Sequence, residues 1–81
     1  MRFIWPESAR SDLRAIDREI AVRILHGLAE YGESGEGDLK TLTGPWQGYF
    51  RLRIGEYRII LAIAPEEITI VRVRHRSEVY R

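Results

Sequence analysis

The chain has 81 residues, 44% of them hydrophobic and 31% charged, with no cysteine and a net charge of +1. That length is one domain, residues 1–81, with a thin core, because so short a chain hides only about 60% of its unfolded surface. Disulfide and thiolate chemistry are excluded and a cytoplasmic location is the default; no apolar stretch approaches the roughly 18 residues of a membrane span, and no His or carboxylate group has metal-ligand spacing, so neither membrane, metal nor cofactor is expected.

Residues 2–5, "RFIW", suit a short strand, and Pro6 fits the first turn of a helix, where its missing N–H is harmless. From Glu7 to Tyr31 the pattern is helical. Ile16, Ile20, Ile24 and Leu28 repeat at helical spacing, flanked by Leu13, Ala21 and Leu25, with Glu19, Arg23, His26 and Glu30 as the polar stripe. One unbroken helix there would run ~37 Å, longer than the ~30 Å width of a domain this size. A break into a helical hairpin is therefore predicted, with Asp17 as the N-cap of the second helix.

Residues 31–40, "YGESGEGDLK", read as a mobile surface loop, and "LTGPW" as a second turn. Gly55-Glu56 is a two-residue hairpin loop of the type II′ kind. It pairs Ile54 with Tyr57, Arg53 with Arg58 and Leu52 with Ile59. Paired residues share a face, so Phe50, Leu52, Ile54, Tyr57, Ile59, Leu61 and Ile63 lie on one side and Arg51, Arg53, Arg58, Ile60 and Ala62 on the other. After a turn at Pro65, "EITIVRVRHR" alternates again, with Thr69, Val71 and Val73 on one side and Ile68, Ile70, Arg72, Arg74 and Arg76 on the other. A three-residue loop, Ala64 to Glu66, would set Arg58 opposite Arg72. The expected fold is α/β in the α+β sense: an N-terminal helical hairpin on one face of a small antiparallel sheet of about four strands.

The arginines are concentrated toward the C-terminus. Residues 6–50 carry five basic and eight acidic side chains, whereas residues 51–81 carry seven basic and four acidic. Like charges directly opposite one another on a sheet are destabilising, so a surface that gathers them has a reason. One reading is solvated arginines covering Ile60, Ala62 and Ile70 with their methylenes. The other is an anion site in which planar guanidinium groups fork onto phosphate oxygens. Alternation leaves open whether that phosphate belongs to RNA, DNA or a nucleotide, or whether the arginines meet acidic side chains of a protein.

"LTGPWQGYFRLRIGEYRIILAI" followed by "ITIVRVRHRSEVYR" resembles the RelE/ParE superfamily of toxin–antitoxin modules, and "IWPESARSDLRAID" is similar to the family's opening strand and first helix. The resemblance covers nearly the whole chain. It implies a toxin, neutralised by a cognate antitoxin in a toxin–antitoxin hetero-oligomer. RelE-type members are ribosome-dependent endoribonucleases (mRNA interferases), with ribosome and mRNA as partners. ParE-type members inhibit DNA gyrase, and a degenerate toxin that only binds its antitoxin is the third reading. On the family's motif, Arg51 and Arg53 match the two basic positions of one strand, and Arg58 the Arg after Tyr on the next. Arg74 or Arg76 matches the basic residue of the closing strand, and Tyr80 the aromatic near the C-terminus. Arginines stand where the best-known bacterial RelE pattern has lysines.

Metal-independent RNA cleavage uses the 2′-hydroxyl as nucleophile and needs a base, a stabiliser of charge at phosphorus and an acid for the 5′-oxygen. Arginine stays charged and suits the second role. His75, Glu78 and Tyr80 remain for proton handling. His75 titrates nearest neutrality, yet its parity sets it on the core side with Val73. His26 and Trp46 read as a solvated side chain and a loop anchor.

Overall fold

The computed structural model describes residues 1–78, so Tyr80 lies outside the described residues. The order is β1 (Arg2–Ile4), α1 (Glu7–Arg14), α2 (Arg18–Ser34), β2 (Asp38–Thr41), a 3-10 turn (Gly44–Trp46), β3 (Phe50–Ile54), β4 (Tyr57–Ile63) and β5 (Glu67–His75). The five strands form one sheet in the order β1-β5-β4-β3-β2. Both helices cover one face of it, giving the α+β architecture expected. The sheet is mixed, because β1 runs parallel to β5 (Phe3 beside Ile68) while the other pairs are antiparallel.

The helical break falls where domain width demands it. Asp17 is the N-cap residue of α2, although its side chain makes no capping hydrogen bond. The segment 31–40 departs from the mobile loop expected of it. Its first residues continue α2 to Ser34, and its last ones open β2, leaving Gly35 to Gly37 as the connection. Gly35 ends the helix with φ 74° and donates its N–H to the Tyr31 carbonyl, the left-handed C-terminal turn that glycine adopts without strain. The glycine at position 27 has a different task. A Cβ there would stand 2.8 Å from Ile54 Cδ1, so α2 lies against β3 so closely that a larger residue would have to displace the Ile54 side chain.

The core between helices and sheet contains Ala9, Ile24, Leu28, Leu52, Ile59, Leu61, Ile68, Ile70 and Val73, all buried. Eight of these nine come from helix-facing strand positions or from the middle of α2 at i, i+4 spacing, as apolar periodicity predicts. The β3–β4 register is the one the two-residue turn dictates: Ile54 with Tyr57, Arg53 with Arg58, Leu52 with Ile59.

The β4–β5 register corrects the sequence expectation. Leu61 pairs with Ile70, but its neighbour Ile60 pairs with Arg72, so Val71 is an extra residue, a β-bulge. Ile63 pairs with Ile68, so the turn also holds one residue more than the three from Ala64 to Glu66, and turn and bulge together set Arg58 opposite Arg74 and not Arg72. The bulge also switches parity along β5. Ile68 and Ile70 point into the core with Val73, while Arg72 and Arg74 remain on the open face. Ile70 therefore does not lie beneath the arginines. Ile60 does: it is buried to 2% exposure, yet it belongs to the face without helices and stands between Arg51 and Arg72.

Candidate functional site

Pairing across four strands arranges the open face in two rows. One runs Asp38, Arg53, Arg58, Arg74 from β2 to β5; the next runs Lys40, Arg51, Ile60, Arg72. Strands lie about 4.8 Å apart, so Arg53, Arg58 and Arg74 occupy roughly 10 Å of surface. Such crowding of like charge persists only where counter-charges or ligands compensate it.

Two carboxylates compensate the flanks. Asp38 Oδ1 accepts from Arg51 Nη2 at 3.2 Å, and Arg51 is buried. At the opposite flank Asp12, from α1, takes Arg74 Nη1 at 2.8 Å, and Arg72 Nε lies 3.7 Å away. Arg58, in the middle, has no acidic partner among the described residues. Its Nη1 is shut off from solvent and has no hydrogen-bond acceptor, and Arg51 Nε shares that condition. An unpaired buried donor costs about 1–3 kcal/mol. The centre of the arginine face is thus the place where an anion would gain most.

Of the remaining predicted residues, Arg53 belongs to this row and the others stand apart from it. Arg53 is exposed and reaches only the Gly55 carbonyl, at 3.5 Å. Arg76 lies past the end of β5 at the hairpin tip. Its Nε is 2.9 Å from Glu56 Oε2 and its backbone N–H donates to the Glu56 carbonyl, which pins the segment after β5 to the β3–β4 turn. That ion pair is exposed and weakly held.

His75 pairs with Tyr57 on the helix side of the sheet, its ring edge-on to the tyrosine at 5.4 Å. Its Nδ1 accepts the Ser77 N–H at 3.3 Å and contacts Ser77 Oγ at 3.0 Å. The imidazole is therefore not among the arginines. It lines a groove of about 180 Å³ at the end of β5 with Asp12, Tyr57, Arg74 and Glu78. Arg74 is common to the groove and to the open face, so the two meet around the sheet edge. Among the described residues no group of three or more His, Asp or Glu is placed to hold a metal ion.

Asp12 is the residue that sequence reasoning missed. It sits in α1, far from the arginine motif, and α1 reaches β5 because β1 pairs only with Glu67 to Thr69. The edge of β5 beyond Thr69 is left to the helix, and Asp12 Oδ2 accepts the Val73 N–H there at 3.0 Å. A lone Asp in an amphipathic helix carries no sequence signal of such a contact.

Comparison with known proteins bears on the family and the fold. The family model described as "ParE toxin of type II toxin-antitoxin system, parDE" matches residues 3–80. Toxin RelE3 of Methanocaldococcus jannaschii is 28% identical, the match covering 99% of this chain and 96% of that protein. In the RelB-RelE antitoxin-toxin complex from Methanococcus jannaschii, a chain 27% identical superposes with a TM-score of 0.74, over 95% of this chain and 94% of that one. In the RelBE2 toxin-antitoxin complex from Mycobacterium tuberculosis the values are 25% identity, a TM-score of 0.82, and 95% and 92% coverage. A family match over almost the whole chain, joined to the same two-helix, five-stranded fold, makes this chain a member of the ParE toxin family of type II toxin–antitoxin systems, within the RelE/ParE superfamily.

Proposed function

We propose that this toxin is a ribosome-dependent mRNA endoribonuclease that stops translation by cutting messages without a metal. The observation that carries the reading is Arg58: a guanidinium with a buried, unpartnered nitrogen, flanked in register by Arg53 and Arg74. Phosphate oxygens would meet the part of this half-buried side chain that stays exposed, and the charge that grows on them in the transition state would meet three neighbouring cations.

In the reaction the 2′-hydroxyl loses its proton and its oxygen attacks the adjacent phosphorus. The bond to the 5′-oxygen breaks, leaving a 2′,3′-cyclic phosphate and a 5′-hydroxyl that takes up a proton. Arg51, Arg53, Arg58 and Arg74 neutralise the phosphate, and the ribosome holds the message in the in-line geometry. Arg76, released from Glu56, would add to the same field. His75, Glu78 and Tyr80 are the candidate proton carriers. The first two line the groove that meets the arginine face at Arg74. The partner that silences the toxin is a cognate antitoxin, in keeping with the antitoxin-bound state of the archaeal and mycobacterial relatives. No helix among the described residues is long and apolar enough to cross a membrane.

The second reading is a gyrase inhibitor. It is favoured by the ParE description of the matching family and by the absence of His, Glu or Tyr from the central arginine row among the described residues. Translation of a defined message on purified ribosomes, followed by primer extension, separates the two. New 5′ ends within codons at the decoding site support the nuclease. An intact message with blocked gyrase supercoiling supports the inhibitor, and inactivity in both assays supports a toxin reduced to antitoxin binding.

A further inference from the structure

We infer that Asp12 is a positioning residue, holding Arg74 in the orientation the arginine site uses. The inference rests on the arginine face being the working site. It assigns a role to a carboxylate outside the arginine motif, on a different element.

Each carboxylate oxygen of Asp12 has its own partner. Oδ2 accepts the Val73 N–H at 3.0 Å, which anchors the group to the backbone of β5. Oδ1 takes Arg74 Nη1 at 2.8 Å, and that same nitrogen also reaches the Val73 carbonyl at 3.3 Å. The side chain of Asp12 is only 14% exposed and that of Arg74 27%. Both ends of the ion pair are thus tied to the backbone of one residue of the bulged strand, through Val73 N–H and Val73 C=O. A fixed carboxylate engages one nitrogen of the guanidinium and leaves the others for a ligand. Arginine carries about 2 kcal/mol of rotamer entropy, so a group that orders it beforehand removes that penalty from the moment of binding or reaction.

A simple charge argument predicts no loss of turnover. Removing an acid beside a basic face should strengthen anion binding, since it raises the local positive potential. Positioning predicts that neutralising Asp12 leaves binding equal or tighter and lowers turnover. Asp12→Asn suits the test because its amide oxygen can still accept the Val73 N–H, so the strand edge keeps its partner while the charge toward Arg74 is lost.

Three measurements decide the matter. The first is the Nε–Hε resonance of Arg74 in labelled protein. It should be sharp and slowly exchanging in the wild type and lose that order in Asp12→Asn, with Asp12→Glu restoring part of it. The second is cleavage on ribosomes. The variant should lose about tenfold or more in kcat, the scale of a misplaced charge-stabilising group, with KM unchanged or lower. The third is a double-mutant cycle. Asp12→Asn should have little further effect on an Arg74→Ala background, because residues acting through one another are non-additive. Wild-type kcat in Asp12→Asn, full additivity with Arg74→Ala, or an Arg74 signal as ordered as before would each overturn the inference. Should the wild-type protein leave messages intact, the nuclease reading fails, and the Arg74 resonance decides the role of Asp12 without any cleavage assay.

Discussion

Replacing Arg58 with Ala should remove activity and raise stability together. Arg58 stands between Arg53 and Arg74 in one cross-strand row, and its Nη1 is buried with no acceptor. Truncation removes that orphaned donor, whose burial costs about 1–3 kcal/mol, and relieves two like-charge pairs, each worth roughly 0.2–1 kcal/mol. Against this stands the loss of half-buried methylenes, at about 0.8 kcal/mol for each one fully buried. The balance favours the variant by about 1 kcal/mol, a rise of about 4–8 °C in Tm for a domain of this length. On the proposed nuclease reading the candidate site loses a group that would meet transition-state charge, a loss on the order of a hundred- to a thousand-fold in rate. Differential scanning calorimetry and single-turnover cleavage on ribosomes measure the two effects on the same preparation. A variant that melts several degrees lower would mean that Arg58 is paired in solution and its stem is a structural cover for Ile60. A variant that cuts at wild-type rate would remove the arginine row from the chemistry.

Three further outcomes follow from the geometry. His75→Gln should lower Tm, through loss of the Ser77 hydrogen bonds and the edge-on contact with Tyr57, and lower cleavage less than Arg58→Ala does; a fall of about a hundredfold, the scale of general acid–base catalysis, would make the imidazole the centre of the reaction. Gly27→Ala should destabilise despite a helix-propensity gain of about 1 kcal/mol, because its Cβ would stand 2.8 Å from Ile54 Cδ1 and overpacking costs about 1–3 kcal/mol; a higher Tm would show that Ile54 repacks freely. Antitoxin affinity, followed by titration calorimetry, should weaken as salt is raised if the partner covers the arginine face, because exposed charge pairs are screened, and a flat salt profile would place the partner on an apolar groove.

Some of this architecture could be read directly and some could not, for reasons visible in single residues. The β3–β4 register follows from Gly55-Glu56, since a two-residue turn leaves one pairing. The β4–β5 register does not follow from Ala64 to Glu66, because the turn runs one residue longer and a second extra residue lies inside the strand. Its trace is a change of phase: Ile68 and Ile70 occupy even positions, the apolar Val73 an odd one, and Arg72 and Arg74 even ones again. Alternation that slips by one in mid-strand is the mark of a bulge. Strand β2 was hidden because "DLKT" is short, mostly exposed and lies at the sheet edge, where packing imposes little pattern. The row of Arg53 and Arg58 was legible from the hairpin alone. The Asp12–Arg74 pair was not, because it joins a helix to the last strand and local periodicity carries no information about such a contact.

The pairing of the first strand with the last has a consequence for how the toxin is born. Phe3 finds Ile68, and Asp12 finds Val73, each more than sixty positions away along the chain. As synthesis proceeds from the N-terminus at about 5–20 residues per second, β2, β3 and β4 can form a meander by local pairing, whereas β1 and α1 wait for β5 as their only strand neighbour. The arginine row is likewise incomplete until Arg74 arrives. A nascent chain still threaded through the ribosome that makes it therefore lacks one end of its arginine row, and if that row is the toxin's working site, the interval between finishing β5 and docking it is time in which an antitoxin can bind before the site exists.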